Sequence, residues 1–98
     1  MWKKRFIDYL RYEKNYSSQT EISYLNDISQ FENFIINKTG NFIPSEIDSD
    51  LVRVWLSDLM EEGMKPATVN RKLSSLKTFF NCLKKKELIA VNPAKLVS

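Results

Sequence analysis

The most regular pattern in this chain is an apolar stripe near its C-terminal end, which sets a helical period. Its members follow one another at steps of four, three, four and three residues, and they are Val69, Leu73, Leu76, Phe80 and Leu83. Apolar side chains at this spacing lie on one face of an α-helix. Pro66 suits the first turn, where its missing N–H group has no partner to lose. The pattern predicts a long amphipathic helix from Pro66 to about residue 86, whose apolar face needs other helices to pack against.

Three further helical patterns precede this one, and no segment alternates in the manner of a β-strand. They cover residues 2–14, 18–38 and 49–62. Ser18 followed by Glu21 matches a capping box at the start of the second helix. Asp48 is expected to cap the third helix, and Gly63 to end it in a left-handed conformation. The predicted fold is therefore all-α: a compact four-helix bundle with a short C-terminal linker segment.

The segments between and after the helices divide into a buried loop and a free tail. Residues 39–47 are predicted to form a loop that tucks Phe42, Ile43 and Ile47 into the core. Residues 90–98 show no core pattern, and Asn92-Pro93 marks a boundary within them.

Composition excludes several classes of function. The 98 residues suit one domain and include no His, one Cys and two Gly. A zinc site of the usual type, a Ser–His or Cys–His pair, an internal disulfide and a glycine-rich phosphate loop are thereby disfavoured. The acidic group Glu46, Asp48 and Asp50 lacks the Gly and closing Glu of a calcium loop. No apolar run approaches the roughly 18 residues of a membrane span. We expect a cytoplasmic domain without metal or cofactor that is not a complete enzyme.

Charge is distributed unevenly along the chain. Residues 1–64 carry seven Lys/Arg and eleven Asp/Glu, a net charge of −4. Residues 65–98 carry eight Lys/Arg and a single acid, Glu87, a net charge of +7. Such segregation produces a one-sided positive field, and nucleic acid is the first partner to consider.

The outer face of the fourth helix combines small polar side chains with basic ones. At about 100° per residue, the face opposite the apolar stripe and its two flanks hold Asn70, Arg71, Lys72, Ser74, Ser75, Lys77 and Thr78. Small side chains let a helix approach the major groove closely, arginine pairs with guanine or phosphate, and lysine neutralises backbone charge. This face is therefore predicted to contact DNA, against the alternative of a solvated basic surface.

The start of the second helix is another candidate site for phosphate. It offers a cation, hydroxyl groups and free backbone N–H groups on Lys14, Ser17, Ser18, Gln19 and Thr20. Helix N-termini bind anions through such N–H groups. Lys14, Ser18 and Thr20 are therefore predicted DNA contacts. Capping by Ser18 explains the same pattern, and the two roles are compatible.

The motifs of the chain follow one another in an order that resembles a known family. They are residues 6–10, Ser18-x-Thr20-x-x-x-Tyr24-x-x-Asp27-Ile28-x-x-Phe31, Trp55-Leu56 with Gly63, residues 66–80, and Asn92-Pro93. The most specific part is Thr68-x-x-Arg71-x-Leu73-Ser74-x-Leu76-Lys77-x-Phe79-Phe80. In this order and spacing the chain resembles, over almost its whole length, the N-terminal core-binding domain of tyrosine recombinases of the phage-integrase and Xer type.

The resemblance implies a four-helix, SAM-like bundle that clamps one face of double-stranded DNA at the arm of a recombination site, beside neighbouring recombinase protomers. In the family a separate C-terminal domain carries the strand-breaking chemistry, so no catalytic role transfers to this chain. The DNA-contact positions that transfer are Thr68, Arg71, Lys72, Ser75 and Lys77, with Ser18 and Thr20. The sequence departs from the family at Lys65-Pro66, where a small polar residue often caps the fourth helix.

We therefore expect residues 1–90 to form the DNA-binding domain of a site-specific recombinase or integrase, and residues 91–98 to begin an interdomain linker. The expected location is the prokaryotic cytoplasm, on the nucleoid when bound. Two alternatives stay open. One is a small helical protein–protein interaction module without DNA binding, since a fold does not fix a function. The other is a natural truncated integrase that acts as a competitor or repressor.

Overall fold

The computed structural model describes residues 2–98, so Met1 of the predicted 1–90 domain lies outside the described residues. Its helices are α1 (Trp2–Asp8), which runs on into a π-helical segment (Tyr9–Glu13), α2 (Ser18–Thr39), α3 (Ser49–Glu61) and α4 (Pro66–Lys85), with a short 3₁₀ turn at Pro44–Glu46. Residues 2–98 contain no β-strand, and the predicted all-α, four-helix fold is confirmed. No helix in this range is both long enough and apolar enough to cross a membrane.

The start of α2 differs from the predicted capping box by one residue. Ser17 is the N-cap, and its side chain accepts a hydrogen bond from the backbone N–H of Thr20 at 3.3 Å. Glu21 does not turn back to the helix end. Its carboxylate instead accepts from Arg11, from Nε to Oε2 at 3.1 Å and from Nη2 to Oε1 at 2.9 Å. The predicted capping box of Ser18 and Glu21 is therefore wrong, because the Glu21 carboxylate is bonded to Arg11 of the π-helical segment.

The predicted ends of α3 are confirmed. Asp48 caps its start, where the carboxylate accepts from the backbone N–H of Leu51 at 2.9 Å. Gly63 has φ +89° after its end, and the N–H of Met64 bonds the carbonyl of Leu59 at 3.1 Å. This is the hydrogen bond that closes a helix when the following residue is left-handed. Lys65 begins α4 without a side-chain cap.

The core forms where α4 lies against α2 and α3. Every residue of the α4 apolar stripe is buried, as predicted. Phe79 links α4 to α1, because its ring meets Trp2 edge-on at 5.2 Å and Phe6 at 5.3 Å. Phe31 of α2 meets Trp55 of α3 at 5.1 Å. Each such side chain contributes roughly 1.5–3 kcal/mol when fully buried, so these aromatic contacts hold the helices in place.

The tail after α4 packs onto the helices, contrary to the expectation that it lacks core contacts. Ile89, Ala94 and Val97 are buried. The Asn92 side chain donates to the Lys77 carbonyl at 3.1 Å, and Ser49 donates to the Pro93 carbonyl at 2.8 Å. These three apolar residues are irregularly spaced because the segment is not helical. Their burial could therefore not be predicted from a periodic pattern.

The loop between α2 and α3 largely follows the prediction. Ile47 is buried, and the half-buried ring of Phe42 stacks on Phe79 at 6.2 Å. Ile43 was expected in the core but is exposed.

Candidate nucleic-acid interface

The face that α4 presents to solvent is narrower than the sequence pattern predicts. Lys72, Ser75, Phe79 and Cys82 are buried together with the apolar stripe, so the buried arc spans about half of the helix circumference. Asn70, Arg71 and Ser74 are exposed, and Lys77 and Thr78 are half-buried. Lys72 and Ser75 were predicted to face DNA. The structure corrects this expectation, since neither side chain lies on the surface.

A buried carboxylate on α2 explains both corrections. Asp27 is 1% exposed and Lys72 is 3% exposed. Lys72 Nζ donates to Asp27 Oδ1 at 2.9 Å and to Gln30 Oε1 at 2.6 Å. Ser75 Oγ donates to Asp27 Oδ2 at 2.6 Å. A buried charge needs a partner of opposite sign and further hydrogen bonds, and α4 supplies both.

Arg71 stands at the rim of this group. Its Nη1 atom lies 3.2 Å from Asp27 Oδ2, while 45% of its side-chain surface stays exposed. Arg71 is thus anchored to the interior at one end and open to solvent at the other. Of the predicted contacts on the first half of α4, Asn70, Arg71 and Ser74 are the ones that solvent reaches most readily.

A basic groove of about 290 Å³ lies beside the second half of α4, between that helix, the end of the π-helical segment and the tail. Its lining residues are Tyr9, Lys14, Lys77, Thr78, Asn81, Lys84, Asn92 and Lys95. Four of them are lysines and none is acidic. We call this feature the lysine groove.

The lysine groove brings together three predicted contacts and several that the sequence did not single out. Lys14, Lys77 and Thr78 were predicted, from two separate parts of the chain. Lys84 and Lys95 were not, although the charge of +7 over residues 65–98 pointed to this part of the chain. Lys95 enters the site because the tail is folded back onto α4.

Short-range contacts shape the lysine groove. The hydrogen bond from Asn92 to the Lys77 carbonyl fixes the tail beside α4. Lys14 Nζ lies 5.8 Å from the centre of the Tyr9 ring, a cation–π distance. A neighbouring lysine is used differently, because Lys85 Nζ donates to Glu13 Oε1 at 2.7 Å. This hydrogen bond lowers the pKa of Glu13, an acid that does not line the groove.

The N-terminus of α2 lies next to this surface. Ser17, Ser18 and Gln19 are exposed, whereas Thr20 is half-buried and its hydroxyl lies 3.1 Å from that of Ser17. Tyr24, one turn further on, meets the Tyr16 ring edge-on at 5.5 Å. Burial raises the pKa of Tyr24, and the nearby Thr78 side chain opposes that rise. Thr78 of the α4 face therefore lies close to the first half of α2.

Thr68, the last predicted contact, is half-buried in the first turn of α4. Its backbone N–H bonds the carbonyl of Lys65 at 3.0 Å. Pro66 makes this uncapped start possible, since it has no N–H to satisfy.

Metal ligands and the single cysteine are also to be considered for residues 2–98. No group of three or more Cys, Asp or Glu in this range lies close enough to hold a metal ion. Cys82 is buried, and burial raises its pKa to about 11. Its thiol is therefore protonated near neutral pH and a poor nucleophile. The lysine groove, by contrast, presents four cations and no acid, which suits an anionic ligand.

Comparisons with known proteins identify the family of this chain. A family model described as phage integrase, N-terminal SAM-like domain, matches residues 4–87. The tyrosine recombinase XerC of Listeria innocua is 38% identical over 95 residues, which cover 97% of this chain and 31% of the relative. The tyrosine recombinase XerC of Bacillus subtilis is 35% identical over 94 residues, with 96% and 31% coverage. That of Chlorobaculum tepidum is 33% identical over 101 residues, with 98% and 30% coverage.

The chain thus spans about a third of the length of these relatives. No solved structure gives a significant match.

Proposed function

This chain belongs to the family of phage integrase N-terminal, SAM-like domains, and on that basis we propose that it is the DNA-binding domain of a site-specific tyrosine recombinase. It positions a parent enzyme on the double-stranded arm of a recombination site, in the cytoplasm of a prokaryote. Neighbouring protomers on the same DNA are its protein partners. The cutting and rejoining of strands belongs to a part of the parent enzyme that this chain does not contain.

The observation that carries the proposal is the lysine groove. Four cations from three separate segments converge on one opening whose lining holds no acid. Assembling like charges is unfavourable unless water or a bound anion offsets their repulsion. Duplex DNA offers about one negative charge per 1.7 Å of its axis, and lysines that neutralise phosphates release counterions. The groove therefore supports a contact with the DNA backbone.

The first half of α4 supports a contact of a different kind. Asn70 and Ser74 are small and exposed, and they lie within about 40° of each other around the helix axis. The major groove admits an α-helix, and short polar side chains let the helix approach the base edges. Phosphate contacts set the register of a protein on DNA, whereas base contacts add sequence preference. We assign the first role to the lysine groove and to Arg71, and the second to Asn70 and Ser74.

The protein-interaction alternative has one observation in its favour. Leu96 is 87% exposed and Met60 is 57% exposed, and both line a second groove, of about 330 Å³, with Arg53 and Leu56. Exposed apolar groups that share one groove are a feature of protein contacts. This apolar groove shares no residue with the lysine groove, so variants can separate the two functions.

The test is fluorescence anisotropy of a labelled 30-base-pair duplex (a length of about three helical turns) across a salt series. If the four lysines and Arg71 each neutralise one phosphate, log affinity falls against log salt with a slope of about −4.5. The variant Lys77→Ala/Lys84→Ala/Lys95→Ala is expected to reduce that slope to about −1.8 and to keep its helical circular dichroism.

The matched control is Lys3→Ala/Lys4→Ala/Lys38→Ala. It removes the same charge from exposed lysines that do not line the groove, and its slope is expected to stay near that of the unaltered chain. An equal loss in both variants would mean that total charge, and not the groove, attracts DNA. Anisotropy that does not respond to the protein at low salt would reject DNA binding, and the apolar groove would then become the leading site.

A further inference from the structure

We propose that Asp27, which is buried and out of reach of DNA, is a positioning residue for DNA binding: it holds the Arg71 guanidinium at the surface in the one orientation that meets a backbone phosphate. This inference rests on the proposed function and deepens it. The interface then has two kinds of basic contact, flexible lysines in the groove and one fixed arginine on the neighbouring turn of α4.

The first step of the argument is that the carboxylate of Asp27 cannot rotate. Oδ1 accepts from Lys72 at 2.9 Å, and Oδ2 accepts from Ser75 at 2.6 Å. Both donors are buried, and α4 fixes their backbones. The Asp27 Oδ2 atom is therefore held in a fixed position, and Arg71 Nη1 pairs with it at 3.2 Å.

The second step is the charge of the group. One carboxylate faces two cations, so a single positive charge is left over. Lys72 is not accessible to a ligand, because its buried ammonium group donates hydrogen bonds to both Asp27 and Gln30. The uncompensated charge therefore resides on Arg71, whose side chain is 45% exposed. An anion that arrives at the surface completes the charge balance at that point.

The third step is the shape of arginine. A guanidinium group is planar and carries five N–H donors in a fixed fork, so it can pair with a carboxylate on one edge and a phosphate on another. Lysine is a point charge on a flexible stem and does not bridge two anions with the same geometry. A side chain that is already immobilised also loses less conformational freedom when DNA binds.

The test is a cycle of variants in the 98-residue chain, measured by anisotropy on the same duplex. Asp27→Asn/Lys72→Met removes one negative and one positive charge, so the net charge of +3 and the long-range attraction are preserved. Replacing a buried ion pair by uncharged groups is often tolerated. We expect this pair of changes to weaken binding about fivefold and Arg71→Ala to weaken it about tenfold, the loss of one charge-assisted contact.

The combination of all three changes decides whether Asp27 acts through Arg71. If it does, the triple variant binds no more weakly than Arg71→Ala alone, because the residue that Asp27 positions is already gone. Losses that multiply would show that Asp27 acts on the fold as a whole and would overturn the inference. So would tighter binding by Asp27→Asn/Lys72→Met, which would mean that Asp27 withholds Arg71 from DNA.

Arg71→Lys tests the same idea without touching the interior. It keeps the charge at an exposed position, so the fold is expected to persist even if the buried pair cannot be replaced. We expect the loss to match that of Arg71→Ala within a factor of about two, because only a fixed fork pairs with both anions. Binding equal to that of the unaltered chain would overturn the inference. The response of Lys77→Ala/Lys84→Ala/Lys95→Ala in the same assay shows separately whether the chain binds DNA through its groove.

Discussion

Two lysines on α4 illustrate how differently the same side chain is used within one helix. Lys72 is buried and bonded to Asp27, whereas Lys77 lines an open groove with three other lysines. They are five residues apart, which turns them about 140° from each other around the helix axis. Lys72 stabilises the fold and is lost to any ligand, and Lys77 is available to one. A basic helix therefore reveals its binding residues only when the neighbours of each cation are known.

The difference lies in the partner helix and not in α4 itself. Asp27 is the buried acid that α2 presents to α4, and it recruits Lys72, Ser75 and one edge of Arg71. The lysine groove faces no such group, since Glu13 is paired with Lys85 and Lys86 beside it. Acidic residues thus sort the cations of α4 into structural and accessible ones.

The largest expected effect comes from Asp27→Asn alone, which removes the buried carboxylate that pairs with Lys72. The change leaves the Lys72 charge in the interior without a counter-charge, and the free energy of unfolding is expected to fall by about 3–5 kcal/mol. Urea denaturation measures it. Asp50→Asn is the matched control, because Asp50 is exposed and pairs only with Arg53 at 3.3 Å on the surface. There the change should stay within about 0.5 kcal/mol. Equal losses of stability in the two variants would mean that the buried ion pair of Lys72 contributes no more to the fold than a surface ion pair.

A smaller effect is expected at the end of α4, where the only acid of residues 65–98 lies. Glu87 has φ +60°, and the Leu88 N–H bonds the Leu83 carbonyl at 2.9 Å, so a residue other than glycine occupies a left-handed helix end. Glu87→Gly relieves that conformation and is expected to raise the free energy of unfolding by about 1 kcal/mol. Glu87→Gln removes the charge and keeps the strain, so its thermal denaturation should match that of the unaltered chain. If both variants gain alike, the charge and not the backbone conformation is the cause.

The smallest effect concerns the ion pair of Arg11 and Glu21, in which half of the arginine side chain is exposed. Hydrogen bonding to Arg11 lowers the pKa of Glu21 from its ordinary value of 4.5. A lowered pKa stabilises the fold above the ordinary value, and that stabilisation is lost as the pH falls through the lower, folded value. Glu21→Gln is therefore expected to be less stable than the unaltered chain at pH 7.

The gap between the two should close as the pH drops below about 4. Urea denaturation at a series of pH values measures it. Glu61→Gln, at an exposed site, provides the control, and its stability should stay within about 0.5 kcal/mol of that of the unaltered chain. A gap for Glu21→Gln that does not narrow as the pH falls below 4.5 would assign its effect to packing instead of charge.

Much of the fold was predictable from the sequence because its signals are local. The period of the stripe from Val69 to Leu83 defined α4, Asp48 defined the start of α3 and Gly63 its end. The start of α2 was predicted one residue late, since Ser17 and Ser18 are equally good caps by residue type. Which of the two serines caps the helix depends on the partner of the Glu21 side chain. That partner is Arg11, ten positions earlier in the chain.

The candidate site was predictable only in part. Asn70, Arg71, Ser74, Lys77 and Thr78 reach the surface as expected from the helical period, whereas Lys72 and Ser75 do not. One signal for this exists in the sequence, because Asp27 falls between the apolar residues Tyr24 and Ile28 on the inward side of α2. Lys95 had no signal at all, since its place in the lysine groove depends on how the tail folds back.

The sequence by itself determined the helices, the apolar faces that join them and the concentration of positive charge in residues 65–98. These properties depend on residues a few positions apart, which local periodicity and capping govern. The tertiary structure alone decided which cations are buried in ion pairs and which remain accessible to a ligand. That choice depends on residues that are distant in the chain and come together only when the helices pack. Asp27 bonds Lys72 in this way, and Lys14 and Lys95 come to line one groove.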